Sequence, residues 1–499
     1  MTTGRRVADD QVEDEILSLR PDRRQELCAR LAQLVGAEEL VPEVTPFELI
    51  KSDDRQRLPD DAVDAYPLGQ VQLGMIFHML SGADRSAPAA YHNVATSHFH
   101  ISQFSETAFR ESVKMLIDRH EIFRTTLHVR GFSEPIAIVH RSCPAKIEIV
   151  DLRGERDAEK EERLSEFQRE QNSSVCNLRE APLIHFYVHA FTDRDIKLTI
   201  VEPHSISDGW STHLTLAELI GNYRDILAGH QVVQQPLQLA YRQFIATERA
   251  SVSSDAQRLF WQAFLAHASD TKLPSKPISN PDWTAHKSYR TLEGSLSRDI
   301  LELAREQGLP TRTVLLAAHF KMLALFSRSD DILTGVSFNG RLEKPDGIQV
   351  RGMFLNTLPM RLQTIGNTWA DLLSRVYAAE CMMLPFRRYP LAQILRVAGS
   401  RVRPSTLFSF HHFHSVRQVR ESGIVDSMEN VTDDSRTSVP LETAFIRSAE
   451  RTDSLTMIID IDCTMFTSAD AESFARVYID ALTQMTRNVH APHTTMSID

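Results

Sequence analysis

Short apolar stretches bounded by turn residues alternate in this chain with longer stretches of helical spacing, a pattern that predicts an α/β fold. Leu183–Phe191 and Lys197–Val201 are rich in strand-forming residues and are separated by the polar turn Thr192–Asp195, so they predict a hairpin. Apolar residues then recur at helical spacing over Leu214–Ile220. A buried hairpin that leads into a helix is therefore expected shortly before the middle of the chain.

The two halves of the chain share a strand–turn–helix pattern of similar layout. Phe99–Arg119 carries it in the first half, and Ser454–Met485 repeats it near the end. The repeat favours two lobes of similar topology. We therefore divide the chain into an N-terminal appendage, a first lobe and a second lobe: residues 1–60, 61–240 and 241–499.

The composition excludes several classes of protein. The chain has 499 residues and a net charge of -11, which argues against a general nucleic-acid binder. It contains no run of 18 apolar residues, so no membrane span is predicted, and the N-terminus lacks the apolar core of a secretory signal. The five cysteines are scattered, without a Cys-x-x-Cys pair. Reduced thiols and a cytoplasmic location are expected.

His204 is the leading candidate for chemistry. The predicted strand that ends the hairpin stops at Pro203, which has no N–H to donate, and His204 follows at once. A neutral imidazole on a rigid element needs little adjustment of its pKa to act as a base near pH 7. Gly209 allows a close approach to the backbone, and Asp208 can hold the loop by pairing with a distant arginine.

These residues resemble the His-His-x-x-x-Asp-Gly signature of nonribosomal peptide synthetase condensation domains. His204 matches the second histidine, Asp208 the aspartate and Gly209 the glycine, whereas Pro203 replaces the first histidine. Two further blocks carry the same resemblance. They are Arg-His-Glu-x-x-Arg-Thr and Gly-x-x-x-Asn-Thr-x-Pro-x-Arg, found here at 119–125 and 352–361.

The resemblance implies a chloramphenicol-acetyltransferase-like fold, with two lobes in a V and a tunnel between them. A carrier protein would present an acyl thioester on its phosphopantetheine arm at one end. An amine or hydroxyl acceptor, free or carrier-bound, would enter from the other. The family acts in nonribosomal peptide or hybrid polyketide synthesis. For this protein we also expect release of the carrier-bound product onto a separate acceptor. No bound cofactor is expected, because the thioester is already activated.

The resemblance also implies roles for individual residues. His204 would orient or deprotonate the nucleophile. Asp208 would pair with Arg124 as first choice and with Arg341 as second. The expected contacts of the pantetheine channel and the thioester are Gly209, Trp210, Ser211 and Asn356.

The appendage suggests a docking element. It carries several basic residues in an otherwise acidic protein, which suit an acidic tail of the donor carrier's chain. Those residues are Arg23, Arg24, Arg30, Lys51, Arg55 and Arg57. We expect residues 41–58 to form a small hairpin beside a helix over 22–35. The alternative is a segment that only packs on the main body. The chain has no adenylation core and no carrier segment, so a free-standing enzyme is expected.

Two competing functions stay open. An epimerisation-type relative would share the fold, and a catalytically silent platform that recruits carrier proteins is kept open by Pro203. A metal site is not expected, because His411, His412 and His414 have no Asp, Glu or Cys at ligand spacing.

Overall fold

A computed structural model describes most of the chain. The described residues are 15–16, 18–37, 41–81, 90–101, 104–279, 287–292, 294–399, 402–412, 425–433, 439–447 and 454–497. His414 of the histidine group lies outside them. Among the described helices, none is both long and apolar enough to cross a bilayer.

The first half of the chain alternates strands and helices. The helices are α1 (Pro21–Ala37), α2 (Ser52–Arg55), α3 (Gln70–Ser81), α4 (Glu106–Arg119), α5 (Asp157–Ser173), α6 (Gly209–Leu227) and α7 (Tyr241–Ser253). The strands are β1 (Ala62–Pro67), β2 (His92–Ile101), β3 (Thr125–His128), β4 (Ile136–His140), β5 (Ile147–Asp151), β6 (His185–Ala190) and β7 (Asp195–Pro203). Short 3₁₀ turns cover Glu121–Arg124 and His204–Ile206.

The second half continues the same alternation. Its helices are α8 (Asp255–Phe264), α9 (Gly294–Glu306), α10 (Thr311–Ser327), α11 (Trp369–Met383), α12 (Leu391–Ala398) and α13 (Ser468–Arg487). Its strands are β8 (Lys287–Thr291), β9 (Asp331–Asn339), β10 (Leu355–Gln363), β11 (Thr406–His412), β12 (Val425–Asp433), β13 (Leu441–Arg447) and β14 (Leu455–Ile461). Leu384–Phe386 and His493–Thr495 are 3₁₀ turns.

Each half builds its own large sheet, and one strand joins the other half's sheet. The strand order is β12-β2-β7-β6-β5 in one sheet and β10-β9-β11-β13-β14-β8 in the other. β12 comes from the second half of the chain but pairs antiparallel with β2 of the first. The two lobes are therefore connected through a shared sheet. The predicted hairpin is present, because β6 and β7 pair antiparallel across the turn at 191–194.

The hydrophobic cores largely follow the lobes but depart from the division at residue 240. Leu342, Val350 and Phe354, from the stretch assigned to the second lobe, belong to the first core. Tyr241, Phe244 and Ile245 of α7 belong to the first core, whereas Phe260 and Trp261 of α8 belong to the second. Packing thus places α7 with the first lobe.

The appendage packs on both lobes. Cys28 and Leu31 of α1 are buried in the second core. Phe47 and Ile50 instead pack against Ala65 and its neighbours in the small sheet formed by β1, β4 and β3. The prediction of a hairpin over 41–58 was wrong. Residues 41–45 have no regular structure, a turn follows, and the short helix α2 precedes a second turn at 56–57. Two prolines in this stretch lack the N–H groups that a strand ladder requires.

Candidate functional site

The loop that carries His204 is fixed by hydrogen bonds from its backbone. The His204 amide donates to the carbonyl of Tyr91 at 2.8 Å, just before β2 begins. The side-chain amide of Gln72 on α3 donates to the Ser205 carbonyl at 2.8 Å. Pro203 ends β7 with φ -71° and ψ 132°, an extended geometry that suits its ring. The proline in place of the first signature histidine is therefore accommodated without distortion of the strand.

The His204 imidazole has a defined tautomer. Its Nδ1 lies 2.6 Å from the carbonyl oxygen of Ser207. A carbonyl only accepts hydrogen bonds, so Nδ1 carries the proton and Nε2 keeps its lone pair in the neutral ring. The ring is half-buried, and its centroid lies 6.3 Å from that of Tyr91. This arrangement leaves one basic nitrogen available to a nucleophile.

Asp208 pairs with Arg341 and not with the first-choice partner, Arg124. The Arg341 guanidinium lies 3.0 Å from the Asp208 carboxylate, and both side chains are buried. The carboxylate also accepts from the amide of Ser211 at 2.7 Å, which caps the N-terminus of α6, and from the amide of Phe354 at 3.2 Å. Asp208 thus joins the first turn of α6 to the segment 341–354 of the second half.

Arg124 is used elsewhere in the first lobe. Its Nε donates to the Ile117 carbonyl at 3.1 Å, in the last turn of α4, and its Nη1 donates to the carbonyls of His140 and Arg141. The bond to Ile117 satisfies a carbonyl at the end of the helix, where an arginine is favourable, and the other two bonds go to carbonyls at the end of β4. Arg124 therefore stabilises the junction of α4 and β4.

Ser211 and Asn356 use their polar groups in hydrogen bonds within the protein, and their expected contact with a thioester stays a prediction. Ser211 is fully buried, accepts from Arg341 at 2.7 Å and donates to the Gly352 carbonyl at 2.9 Å. The Asn356 amide donates to the carbonyls of Arg387 and Tyr389 at 3.0 and 2.7 Å. Both side chains hold backbone segments together.

The two remaining channel candidates lie at the start of α6. Gly209 is its first residue and is half-buried. Trp210 donates from its indole Nε1 to the Ile348 carbonyl at 3.1 Å, so its ring is anchored to the segment from the second half. Their contact with a pantetheine arm stays a prediction.

A buried cluster around Glu218 was missed from the sequence. The Glu218 carboxylate contacts Arg119 at 2.9 Å, His120 at 3.0 Å and Arg351 at 2.7 Å. Burial disfavours the carboxylate, but the interaction with His120, the charge of Arg351 and the hydrogen bond from Arg119 outweigh it and lower the pKa of Glu218 to about 2. Burial lowers the pKa of His120 to about 4, so its ring is neutral near pH 7.

The position of Glu218 on α6 offered a signal for this cluster. Glu218 follows Ser211 by seven residues, so both lie on one face of the helix. That face packs on residues 341–351, where Arg341 meets Ser211 and Arg351 meets Glu218. The block at 119–125 contributes to the site through Arg119 and His120 and not through its second arginine.

The six expected docking residues are divided between two surfaces. On α1, which packs against the second lobe, Arg23 and Arg30 both approach Glu26, at 2.8 and 3.8 Å. On the segment that packs against the first lobe, Arg55 lies over the Phe47 ring at 4.7 Å, and Arg57 donates to the Gly131 carbonyl at 2.6 Å.

Arg24 and Lys51 complete this set. Arg24 is half-buried on α1, and Lys51 is exposed just before α2. Arg55 and Arg57 therefore attach the segment to its lobe, whereas Arg23, Arg30 and Lys51 leave most of their surface to solvent.

Comparison with known proteins gives the family context. A sequence model described as Condensation domain matches residues 62–498. The chain is 33% identical over 446 residues to the AMB antimetabolite synthetase AmbE of Pseudomonas aeruginosa, a match that covers 88% of this chain and 20% of that protein. It is 25% identical over 335 residues to tyrocidine synthase 2 of Brevibacillus parabrevis, covering 66% and 9% respectively. The chain thus spans a fifth or less of the length of these relatives.

Solved structures confirm the predicted α/β fold with two chloramphenicol-acetyltransferase-like lobes. The condensation domain of the Monacolin K polyketide synthase MokA matches with a TM-score of 0.72 and 15% identity, covering 87% of this chain and all of that one. The first condensation domain of the calcium-dependent antibiotic synthetase, in complex with substrate analogue 3a, matches with a TM-score of 0.73 and 15% identity. The match covers 88% of this chain and all of that one. The X-domain from teicoplanin biosynthesis, in its complex with OxyB, matches with a TM-score of 0.70 and 16% identity. The match covers 92% of this chain and 98% of that one.

Proposed function

Because this chain belongs to the condensation-domain family, whose members are acyltransferase-type enzymes that form C–N bonds, we propose that it transfers an acyl group from a carrier-bound phosphopantetheine thioester to an amine or hydroxyl acceptor. The single observation that carries the proposal is the His204 tautomer, with Nδ1 bound to the Ser207 carbonyl at 2.6 Å. A fixed Nδ1–H leaves Nε2 as a general base on a rigid loop. We further propose that the acceptor releases the chain from its carrier.

The proposed reaction balances without a bound cofactor. Nε2 of His204 accepts a hydrogen bond from the attacking amine or hydroxyl and removes its proton as the new C–N or C–O bond forms. The C–S bond of the thioester then breaks, and the proton passes to the departing pantetheine sulfur. Asp208 acts by position only, because its carboxylate is occupied by Arg341 and two backbone amides.

A recruitment platform is the second candidate. The X-domain from teicoplanin biosynthesis has the same fold and is found in a complex with OxyB. Together with Pro203 in place of the first signature histidine, this keeps a non-catalytic binding role as a defined alternative. An epimerisation-type activity is a third.

One experiment separates the three functions. The protein is incubated in D₂O with an acyl- or aminoacyl-loaded carrier and a panel of amines and alcohols, and the products are analysed by mass spectrometry. Transfer gives an acylated acceptor and a free carrier thiol. Epimerisation gives deuterium at the α-carbon of a group that remains on the carrier, and a platform gives binding without either product. His204→Ala should lower the transfer rate by roughly 10²–10⁴-fold, whereas His490→Ala, at an exposed histidine, serves as the matched control.

A further inference from the structure

A second cluster of ionisable side chains lies on the sheet of the first lobe, at the end of β7 opposite to His204. His98 and His100 are two residues apart on β2, so they share one face of the sheet. Asp195 of β7 lies directly opposite His100 in the strand register. The ring centroids of His98 and His100 are 4.4 Å apart. The candidate ligand atoms of the three residues all lie within 4.8 Å of one another.

The Asp195 carboxylate is oriented toward both imidazoles. Thr192 Oγ1 donates to Oδ2 at 2.7 Å, which fixes the plane of the carboxylate. The other oxygen, Oδ1, lies 3.5 Å from His98 Nε2 and also contacts His100 Nδ1. A hydrogen bond that orients a carboxylate in this way is typical of the groups that support metal ligands. All three side chains remain partly exposed, so a solvated ion has access.

The neighbouring cation is held by other groups. Lys197 lies opposite His98 in the register, but its ammonium is 2.7 Å from the Glu161 carboxylate and lies over the Phe191 ring at 4.5 Å. The three side chains thus bring two imidazoles and one carboxylate together, and the Lys197 ammonium is engaged by Glu161.

We propose that His98, His100 and Asp195 bind one divalent first-row transition-metal ion. Two imidazole nitrogens and one carboxylate oxygen are ligands that Zn²⁺ accepts, with water in the fourth position. The ion would join β2 to β7, the two strands whose other ends meet at His92 and Pro203, next to His204. Its role is structural, because the cluster lies at the far end of the strands from His204.

The test uses the untagged full chain, with Zn²⁺ and Co²⁺ as probes. Isothermal titration with Zn²⁺ should give one ion per chain, Co²⁺ should give a d–d absorption band, and Zn²⁺ should raise the melting temperature. His100→Ala and Asp195→Asn should each weaken binding about tenfold or more, and Thr192→Val should weaken it by a smaller factor, because it removes only the orienting bond. His230→Ala, at an exposed histidine elsewhere, should bind as the wild type does.

The outcome is decided by the variants that keep their fold. Asp195→Asn preserves the size of the side chain, and its melting temperature without metal shows whether it is folded. A wild-type chain that binds no Zn²⁺ would overturn the proposal. The proposal would also be overturned if His100→Ala and folded Asp195→Asn both bound Zn²⁺ with wild-type affinity, because the ion would then bind elsewhere on the surface.

Discussion

Asp208 and Arg341 form the buried ion pair on which the geometry of the His204 loop depends. Both side chains are almost fully buried, and each makes further hydrogen bonds to Ser211 or its backbone. The sequence identified Asp208 as structural but ranked Arg124 first, because a sequence motif does not show which arginine the fold brings near. Arg124 and Asp208 lie in the same lobe, yet the arginine that pairs with Asp208 is Arg341 of the second lobe.

Removing this carboxylate should destabilise the protein. Asp208→Ala leaves the Arg341 guanidinium buried without its counter-charge, so we expect a loss of about 3–5 kcal/mol in the free energy of unfolding. Urea unfolding measures this loss, and acyl transfer should fall with it. As a control, the double variant Asp208→Ala/Arg341→Met should lose less unfolding free energy than the sum of the losses in the two single variants. Unchanged stability in Asp208→Ala would show that the pair is not buried in solution.

Gly209 offers a residue-scale test of the proposed pantetheine path. Gly209→Trp places an indole beside Asp208 at the start of α6, and we expect transfer from the loaded carrier to fall sharply while the melting temperature changes little. Gly221→Trp is the matched control, because a side chain there meets open space on the same helix. Equal transfer in the two variants would show that the arm does not pass Gly209.

At the scale of elements, α6 connects the lobes through two ionic contacts on one face. Its N-terminus binds Arg341 through Asp208, and its middle binds Arg351 through Glu218. The sequence predicted this helix and its neighbouring hairpin, since apolar periodicity reports burial directly. It did not predict the contacts of Glu218, because periodicity does not show which distant segment covers a helix face.

The Glu218 cluster should make the protein sensitive to acid. The pKa of His120 falls from 6.5 to about 4 on folding, so the unfolded chain binds more protons and stability drops as pH falls from about 6.5 to 4. The depressed pKa of Glu218 extends the loss below its ordinary value of 4.5, down to about 2. We expect His120→Gln to flatten the urea-unfolding free energy between pH 7 and 4, where each pKa unit is worth about 1.4 kcal/mol. The wild-type slope in that variant would refute the assignment.

At the scale of the molecule, the N-terminal appendage contacts both lobes, which favours the alternative that it packs on the body. Arg55 and Arg57 serve that packing. The sequence did show that residues 1–60 precede the family block, and the family match begins at residue 62. It did not show which of their basic residues face solvent, because that depends on which lobe each segment packs against.

Charge reversal tests whether α1 also docks a carrier. Arg23→Glu combined with Arg30→Glu should raise KM for the full donor carrier severalfold, most at low salt, and leave the rate with a small acyl thioester unchanged. These exposed residues contribute at most about 1 kcal/mol each to stability, so the fold should persist. Arg110→Glu, at an exposed position on α4, is the control. An unchanged KM would remove α1 from the docking surface.

The central claim is that the His204 imidazole removes the proton of the nucleophile. The most direct test is the single-turnover rate of acyl transfer from a loaded carrier, measured for wild type and His204→Ala at saturating acceptor. We predict a decrease of roughly 10²–10⁴-fold, the usual contribution of a general base, with an unchanged melting temperature. A His204→Ala variant that transfers the acyl group at the wild-type rate would contradict the account.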